Sequence, residues 1–376
     1  MTNPKSGDNG ELAAIDYITE VTVATIKEVA VRAGVSTATV SRALSGRSSV
    51  SPELQHRILA AVNELDYRPN RIASNLRRRT TETVGIVVSD IENPHYTQAV
   101  RAVEDAAYQR GYRVLLCNTD ETPEKQQSYL EVLAAERVVG VILAPSDPAG
   151  AGISRLLNAG TPVVAFDRRV DDPRADAVVV DNARGTRRAT DYLISLGHEQ
   201  IGFVSGLPDI QTGRERLSGY QEAMVLRGLP TAVEIGAFRI DEAFDATTRL
   251  LDRGNVTALI IANNLMTIGA VRAIRSRRLR IPEDIALVAV DDPPWAELVE
   301  PPLTTLAQPV RQMADCAVRL LFERIGGQRT KATTELFEFE LIVRESSGGP
   351  ISARGHADSS DVARIDAIGV PGSGGA

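Results

Sequence analysis

The feature that most constrains the fold is a regular alternation, from Thr83 onward, of short β-branched runs with longer amphipathic stretches. The runs have the length of buried strands, and the stretches between them carry apolar residues at helical spacing. This alternation indicates βαβ units, which build doubly wound parallel sheets. The predicted buried strands are residues 84–89, 113–118, 138–144, 162–167, 177–181, 201–205, 258–262 and 286–290. The clearest predicted helices are residues 96–110, 124–136, 183–196 and 214–227.

So many strands predict two sheets, each forming its own lobe. Ligands of doubly wound sheets bind beyond the carboxyl ends of the strands, and between two lobes that location becomes a cleft. We therefore expect an α/β body made of two doubly wound parallel-sheet lobes with a ligand site between them.

The charge of the chain is unevenly distributed. The whole sequence has a formal net charge of -7, yet residues 25–79 contain ten Lys and Arg against four Asp and Glu, which makes that stretch +6 and the remainder -13. A basic module on an acidic body is the asymmetry expected of a DNA-binding head joined to a domain that does not bind DNA.

The basic stretch predicts three short helices. The sequence Thr25-Ile-Lys-Glu28 is a capping box that opens a first helix, which ends at Gly34. Ser36 can cap a second helix that begins at Thr37, and Ser51 followed by proline can cap a third. Two short helices joined by a tight glycine-containing turn form a helix-turn-helix.

The second helix has the composition of a DNA-reading helix. Thr37, Ala38 and Ser41 are short outward side chains that let a helix approach base edges, and Arg42 supplies one long donor for a guanine. The alternative is a three-helix bundle whose basic face is merely solvated. Its small core is predicted to contain Ile26, Val29, Ala30, Val35, Val40, Leu44, Ile58, Val62 and Leu65.

A resemblance to a known family follows from ordered motifs in this head. Ala-Gly-Val-Ser at 33–36, Thr-Val-Ser-Arg at 39–42 and Tyr-Arg-Pro-Asn at 67–70 resemble the lac-repressor/galactose-repressor family of transcription regulators, and the similarity continues to about Arg344. The resemblance implies a homodimer on a pseudo-palindromic double-stranded operator, with residues 71–78 as a hinge helix in the minor groove. The implied DNA-binding residues are Thr25, Ser36, Thr37, Ala38, Thr39, Ser41, Arg42, Asn70, Arg71, Ala73 and Leu76.

The body resembles the effector domain of that family, which is itself similar to periplasmic sugar-binding proteins. The effector-binding residues implied by the resemblance are His95, Tyr96, Thr212, Arg216, Phe238, Asn263 and Asp291. Further candidates are Asp167 and Arg168, which end a predicted strand, and Trp295, the only tryptophan. Rings, an arginine, an amide and a carboxylate together suit a sugar-like or polyol effector, and a nucleoside or another small metabolite is the alternative. Four residues have a structural alternative, since Phe238 can be core, Asn263 a turn residue, Arg216 half of an ion pair and Trp295 the packing of its own loop.

These observations divide the chain into five parts. We expect disordered tails at 1–23 and 346–376, a helix-turn-helix domain at 24–68, a hinge helix and linker at 69–80, and a two-lobed effector-binding and dimerisation domain at 81–345. The apolar spacing in the last tail is too brief for a tetramerising zipper.

Two other classes of protein fit the sequence less well. An enzyme on doubly wound sheets is disfavoured because the four histidines are dispersed and no P-loop, nucleophile elbow or dinucleotide motif occurs. A sugar-transport protein would carry an export signal and lack the basic head. We expect no cofactor, no metal site, no membrane segment and a cytoplasmic location. The expected function is that of a repressor-type regulator under allosteric control, in which the effector either raises or lowers operator affinity.

Overall fold

The computed structural model describes residues 24–45, 50–67 and 81–349. It divides the chain into two compact units, Met1–Arg79 and Thr80–Ala376, which are called the head and the body below.

The head contains the three predicted helices α1 (Ile26–Ala33), α2 (Thr37–Ser45) and α3 (Pro52–Glu64). The capping box is confirmed, because the Glu28 amide donates to Thr25 Oγ1 over 3.4 Å and the Thr25 amide donates to Glu28 Oε2 over 2.6 Å. Gly34 then ends α1 with a left-handed φ of 64°, which glycine adopts without strain.

The caps of the next two helices differ from each other. Ser36 caps α2 as predicted, with its Oγ accepting from the Thr39 amide over 3.2 Å. Ser51 occupies the cap position of α3, but its side chain makes no capping bond, which corrects the prediction. The Leu54 amide donates instead to the Ser51 carbonyl oxygen over 3.0 Å.

The head has its own hydrophobic core. Val29, Val40 and Ile58 are completely buried at its centre, and the remaining predicted core residues pack around them. The three helices therefore pack against one another around a core of their own.

The body contains twelve strands among its described residues. The strands of the first sheet are β1 (Thr83–Val88), β2 (Arg113–Asn118), β3 (Gly140–Leu143), β4 (Val163–Phe166), β5 (Asp176–Val180) and β11 (Thr334–Phe337). The strands of the second are β6 (Ile201–Ser205), β7 (Ala232–Ile235), β8 (Ala258–Ile261), β9 (Ala286–Val290), β10 (Thr304–Ala307) and β12 (Glu340–Ile342).

The two sheets have the same construction. Their strand orders are β11-β5-β4-β3-β1-β2 and β12-β10-β9-β8-β6-β7, and every pairing is parallel except that of β12 with β10. The predicted fold of two doubly wound lobes is confirmed.

Eight helices lie between these strands in the described part of the body. They are α4 (Pro94–Tyr108), α5 (Pro123–Ala135), α6 (Ala151–Asn158), α7 (Asn182–Ser195), α8 (Gln211–Leu226), α9 (Ile240–Asp252), α10 (Asn264–Ser276) and α11 (Val310–Ile325). Two short 3₁₀ turns lie at Pro294–Glu297 and Glu345–Ser347. Within the described ranges, no helix is both long and apolar enough to cross a membrane.

All eight predicted strands are present, with one correction. The strand at 113–118 was expected to be buried, but β2 exposes Arg113 and Leu116 because it is an edge strand that pairs only with β1. Strands β7, β10, β11 and β12 were not predicted. Each is only three or four residues long, and β7, β11 and β12 are partly exposed, so they lack the continuous apolar run that marks a central strand.

The chain crosses between the lobes three times, and its last crossing leads from β11 to β12. Beyond β12, Ser346 Oγ donates to the Leu287 carbonyl and accepts from the Thr304 amide. Ser346 and Ser347 are completely buried, so the body extends past the predicted boundary at 345. Three predicted parts lie outside the described residues. They are the tail at 1–23, the hinge and linker at 69–80, and residues 350–376 of the second tail.

Candidate functional site

The DNA-reading candidates of the head lie mainly on the outer side of α2. Thr37, Ala38 and Arg42 are exposed, whereas Thr39 and Ser41 are half-buried and Val40 points into the core. Thr25 and Ser36, which cap α1 and α2, are exposed as well. The predicted contacts Asn70, Arg71, Ala73 and Leu76 lie outside the described residues.

This exposed side has the shape that a recognition helix needs. Small side chains surround one guanidinium, so the backbone of α2 can come close to base edges while Arg42 reaches further. The capping groups at the amino ends of α1 and α2 are placed where backbone amides can meet phosphate oxygens.

In the body, nine of the ten predicted effector residues surround one cavity. Its empty space measures about 460 Å³, a figure that includes the open solvent at its mouth. The lining residues are Asp90, Asn93, His95, Tyr96, Glu121, Asp167, Arg168, Thr212, Arg216, Phe238, Arg239, Asn263, Asp291 and Gln308.

The parallel strands explain why residues so distant in sequence meet there. Glu121 and Asp167 follow the carboxyl ends of β2 and β4 in the first lobe. Phe238, Asn263 and Asp291 follow β7, β8 and β9 in the second. Strand ends of both sheets therefore line the cavity, as is general for ligand sites in this architecture.

Four of these residues have strained backbones. Glu121, Asp167, Phe238 and Asp291 have φ values of 58°, 65°, 60° and 74°, in the left-handed region that L-residues rarely adopt. Each such residue costs about 1–3 kcal/mol, and strain of this kind concentrates at functional sites.

The first lobe contributes a buried group of polar side chains. Tyr96 donates its hydroxyl to Asp167 Oδ2 over 2.8 Å, and His95 Nε2 lies 3.7 Å from Asp167 Oδ1. Burial, together with the charges of Asp167 and Glu121, raises the pKa of Tyr96 well above its ordinary value, so the phenol remains a donor. Asp167 Oδ1 and both ring nitrogens of His95 are buried and have no hydrogen-bond partner.

Arg168 is fixed beside this group. Its Nη1 and Nη2 each donate to one oxygen of Glu121 over 2.6 Å, and Nη1 also donates to the Pro145 carbonyl over 3.2 Å. Burial acts to lower the pKa of Arg168, but the negative charges around it outweigh burial and raise that pKa above its ordinary value. Arg168 Nε is buried without a partner, 3.7 Å from Asp167 Oδ2.

The second lobe holds its polar residues through both side-chain and backbone contacts. Arg216 donates from Nε to Asn182 Oδ1 and from Nη1 to the Ala262 carbonyl, so among these contacts it is not half of an ion pair. Asn263 both lines the cavity and caps α10, its Oδ1 accepting from the Met266 amide over 2.7 Å. Asp291 Oδ1 accepts from Gln308 Nε2 over 2.7 Å.

Phe238 supplies an apolar surface in the cavity. Phe238 is only 8% exposed, packs in the core of the body and also lines the cavity. The ring has room because residue 206, which follows β6, is glycine. A Cβ atom on Gly206 would lie 2.0 Å from Phe238 Cζ.

Trp295 is the predicted effector residue that the structure does not bring to the cavity. It lies in the 3₁₀ turn Pro294–Glu297, is half-buried and packs against the core of the body. This position agrees with the alternative that Trp295 has a packing role. Five lining residues were missed by the sequence analysis, and each follows a strand or a loop whose geometry a sequence does not specify. They are Asp90, Asn93, Glu121, Arg239 and Gln308.

Two of the missed residues have notable surroundings. Asn93 Oδ1 accepts from Asn264 Nδ2 over 2.9 Å, which joins the first lobe to the second at the cavity wall. Burial raises the pKa of Asp90 above its ordinary value. Among the described residues, no group of three or more His, Cys, Asp and Glu is arranged to hold a metal ion.

Comparisons with known proteins agree with the architecture. Residues 25–70 match the family described as bacterial regulatory proteins, lacI family, and residues 190–347 match the periplasmic binding protein-like domain. The HTH-type transcriptional repressor PurR of Pasteurella multocida (strain Pm70) is 34% identical over 329 residues, which are 86% of this chain and 98% of that protein.

Two solved structures are similar over nearly their whole length. The lac repressor dimer bound to operator and the anti-inducer ONPF has a TM-score of 0.78 at 30% identity, covering 86% of this chain and 99% of that one. The CelR–cellobiose complex has a TM-score of 0.66 at 35% identity, covering 86% and 100%. The chain therefore belongs to the lacI family of DNA-binding transcriptional regulators.

Proposed function

We propose that the protein binds a pseudo-palindromic operator as a homodimer and that a small, polyhydroxylated effector bound in the body controls this binding. The head supplies the DNA contacts, for which the exposed side of α2 and the +6 charge of residues 25–79 are the support. The homodimer is supported by the lac repressor structure, which is a dimer on its operator.

The observation that carries the effector proposal is the set of buried polar atoms without partners at the cavity. Asp167 Oδ1 is an acceptor, Arg168 Nε is a donor, and the ring of His95 offers one donor and one acceptor when neutral. Leaving such atoms unpaired costs roughly 1–3 kcal/mol each, so a ligand that pairs them gains that free energy on binding.

A hydroxyl group fits this arrangement because it donates and accepts at the same time. Phe238 adds an apolar surface for the C–H face of a ring, and Arg216, Asn263 and Asp291 add polar groups from the opposite lobe. The similar CelR protein was solved with cellobiose. A sugar or polyol is therefore the favoured effector class.

A ligand held by both lobes provides the basis for control. It stabilises the lobe arrangement that it fits best, and it changes operator affinity only if head and hinge also respond to that arrangement. The Asn93–Asn264 contact is one direct bond between the lobes that such a change would make or break.

The test is a thermal-shift screen of the full chain against sugars, polyols and nucleosides, followed by operator-binding titrations with each hit. A ligand at 100 times its Kd should stabilise the body by about 2.7 kcal/mol, and it should change operator affinity. A hit that raises the melting temperature but leaves operator affinity unchanged would contradict the control mechanism, and a best hit among nucleosides would favour the alternative class.

A truncated protein that lacks residues 1–79 is the matched control. It retains the complete body with its own cores, so it should keep the ligand-induced shift and lose operator binding. Native operator affinity in the truncated protein would refute the assignment of DNA binding to the head.

A further inference from the structure

The charge of the effector can be inferred from the arginines that line the cavity, provided that the cavity is the effector site as proposed above. Phosphate and carboxylate groups are recognised by an open guanidinium that offers two parallel donors. Three guanidiniums line the cavity, those of Arg168, Arg216 and Arg239. A guanidinium that binds an anion strongly presents such a pair of donors with its charge unbalanced.

Arg168 does not, because Glu121 occupies it. Both terminal nitrogens donate to the two oxygens of Glu121, and the side chains of Arg168 and Glu121 are only 5% and 15% exposed. A buried, two-bond ion pair of this kind is costly to separate. What remains for a ligand is the edge formed by Nε and the second N–H of Nη2, on a guanidinium whose charge Glu121 already balances.

Arg216 is also committed in part. Its Nε donates to Asn182 and its Nη1 donates to the Ala262 carbonyl, which uses one nitrogen from each edge of the guanidinium. With Nε already bonded, the edge that contains it cannot grip an anion with two donors, and the N–H groups that remain can contact a ligand hydroxyl.

Arg239 is the remaining guanidinium, and it is exposed at the mouth of the cavity. It shares the cavity lining with the carboxylates of Asp90, Glu121, Asp167 and Asp291. An exposed guanidinium among carboxylates is screened by solvent and gives an entering anion little net attraction.

The balance of charge points the same way. Asp90, Glu121, Asp167 and Asp291 face the cavity together with three arginines, so its formal charge is -1 when His95 is neutral. Asp167 Oδ1 is moreover a buried acceptor without a partner, and it would repel a phosphate or carboxylate oxygen that came within contact distance.

We propose that Glu121 determines specificity: by occupying the guanidinium of Arg168, it makes the cavity select uncharged polyhydroxylated ligands over their phosphorylated or carboxylated counterparts. A hydroxyl donates to Asp167 Oδ1 and accepts from Arg168 Nε, which pairs both buried atoms without bringing a charge. Glu121 acts through Arg168 and sets which ligand that arginine can accept.

The first experiment measures affinity for matched pairs of ligands with the full chain. Glucose, ribose, cellobiose and adenosine are titrated by calorimetry beside glucose 6-phosphate, glucuronate, ribose 5-phosphate and adenosine monophosphate. The expected result is that the tightest ligand is neutral and binds at least about tenfold more tightly than its charged counterpart.

Two other results overturn the inference in distinguishable ways. A charged member as the tightest ligand refutes the selection for uncharged ligands and leaves the effector site in place. Failure of every member to bind, in a folded protein, refutes the proposed polyhydroxylated effector itself and the inference that depends on it.

The second experiment tests Glu121 with the variant Glu121→Gln. Freed from its carboxylate, Arg168 can pair with an anion, so the preference for the neutral member should fall by about tenfold or more. The double variant Glu121→Gln/Arg168→Gln lacks the freed guanidinium, so it should not show the improved binding of the charged ligand that Glu121→Gln shows. An unchanged preference in Glu121→Gln would overturn the role assigned to Glu121.

Matched variants separate this effect from changes in total charge or folding. Glu131→Gln removes the same charge from an exposed pair with Arg155 in the same lobe, and it should leave the preference unchanged. Glu121→Asp keeps the buried charge while withdrawing the carboxylate by one methylene, so it should shift the preference in the same direction by a smaller factor. If Glu121→Gln does not fold, the result with Glu121→Asp decides the question.

Discussion

Replacing Asp291 by asparagine isolates the charge of one cavity carboxylate. Asp291 follows β9, is 7% exposed and has a left-handed φ of 74°. Asparagine has the same shape and tolerates this backbone conformation nearly as well as aspartate, whereas alanine would add strain. The Asn oxygen can also keep the 2.7 Å bond from Gln308 Nε2. The variant therefore changes the chemistry presented to a ligand and little else.

The size of the effect follows from the oxygen that is lost. Asp291 Oδ2 has only a long 3.4 Å contact with the Asn264 amide, so it is available to accept from a ligand hydroxyl. In the variant an NH₂ group takes its place and cannot accept. A hydrogen bond to a charged group contributes about 1.5–3 kcal/mol, so ligand affinity should fall by roughly 10- to 150-fold.

The assay is a calorimetric titration of the tightest ligand, beside operator-binding titrations without and with that ligand. The variant should bind the operator normally and require correspondingly more ligand for the same response. Its melting temperature without ligand should remain within about 4 °C of the parent, since the change in free energy of unfolding stays near 1 kcal/mol. Asp252→Asn, which removes a carboxylate from the surface pair with Arg277, should change none of these values.

Unchanged ligand affinity in Asp291→Asn would refute the assignment of Asp291 to the effector site. A loss of operator binding without ligand would show instead that Asp291 stabilises the DNA-binding arrangement of the body, and the reasoning from ligand contact would fail.

Three further substitutions test other parts of the argument. Arg42→Ala should reduce discrimination by about 1–3 kcal/mol at one operator base pair, seen in titrations of single-base operator variants, whereas an equal loss on every variant would indicate a phosphate contact. Gly206→Ala should push the ring of Phe238 aside and weaken ligand binding without reducing operator affinity; calorimetry showing parental ligand affinity would contradict this role of the ring. Leu76→Ala should weaken operator binding and leave ligand affinity and melting temperature nearly unchanged, as expected of an apolar wedge between bases. Normal operator affinity with a lower melting temperature would indicate that Leu76 packs on protein instead.

The sequence predicted those parts of the fold whose signals are local. The capping box at Thr25 and Glu28 needs only four consecutive residues, and the central strands are recognisable because both of their faces are buried. The half-exposed strands β7, β11 and β12 were missed because they owe their position to a neighbouring strand that is distant in sequence.

The cavity residues also divide into those that the sequence identified and those that only the fold reveals. Phe238 and Asp291 were found because the resemblance supplied positions for them, and Asp167 because it ends a predicted strand; the structure places all three at the cavity. Glu121 was missed because its importance depends on Arg168, 47 residues away, which only the folded sheet brings within 2.6 Å. Trp295 was included because a lone tryptophan beside prolines is typical of a cleft as well as of a packed loop, and the sequence does not distinguish the two.

The late return of the chain to both sheets has a consequence for synthesis on the ribosome. The head is complete by Tyr67, but the first sheet waits for β11 and the second waits for β12 and the buried Ser346 and Ser347. At about 5–20 residues per second, the roughly 280 residues in between take on the order of 15–60 s to translate. A truncated message would therefore release a folded head joined to an incomplete body. Such a product could contact DNA as a single head but would lack the proposed effector site.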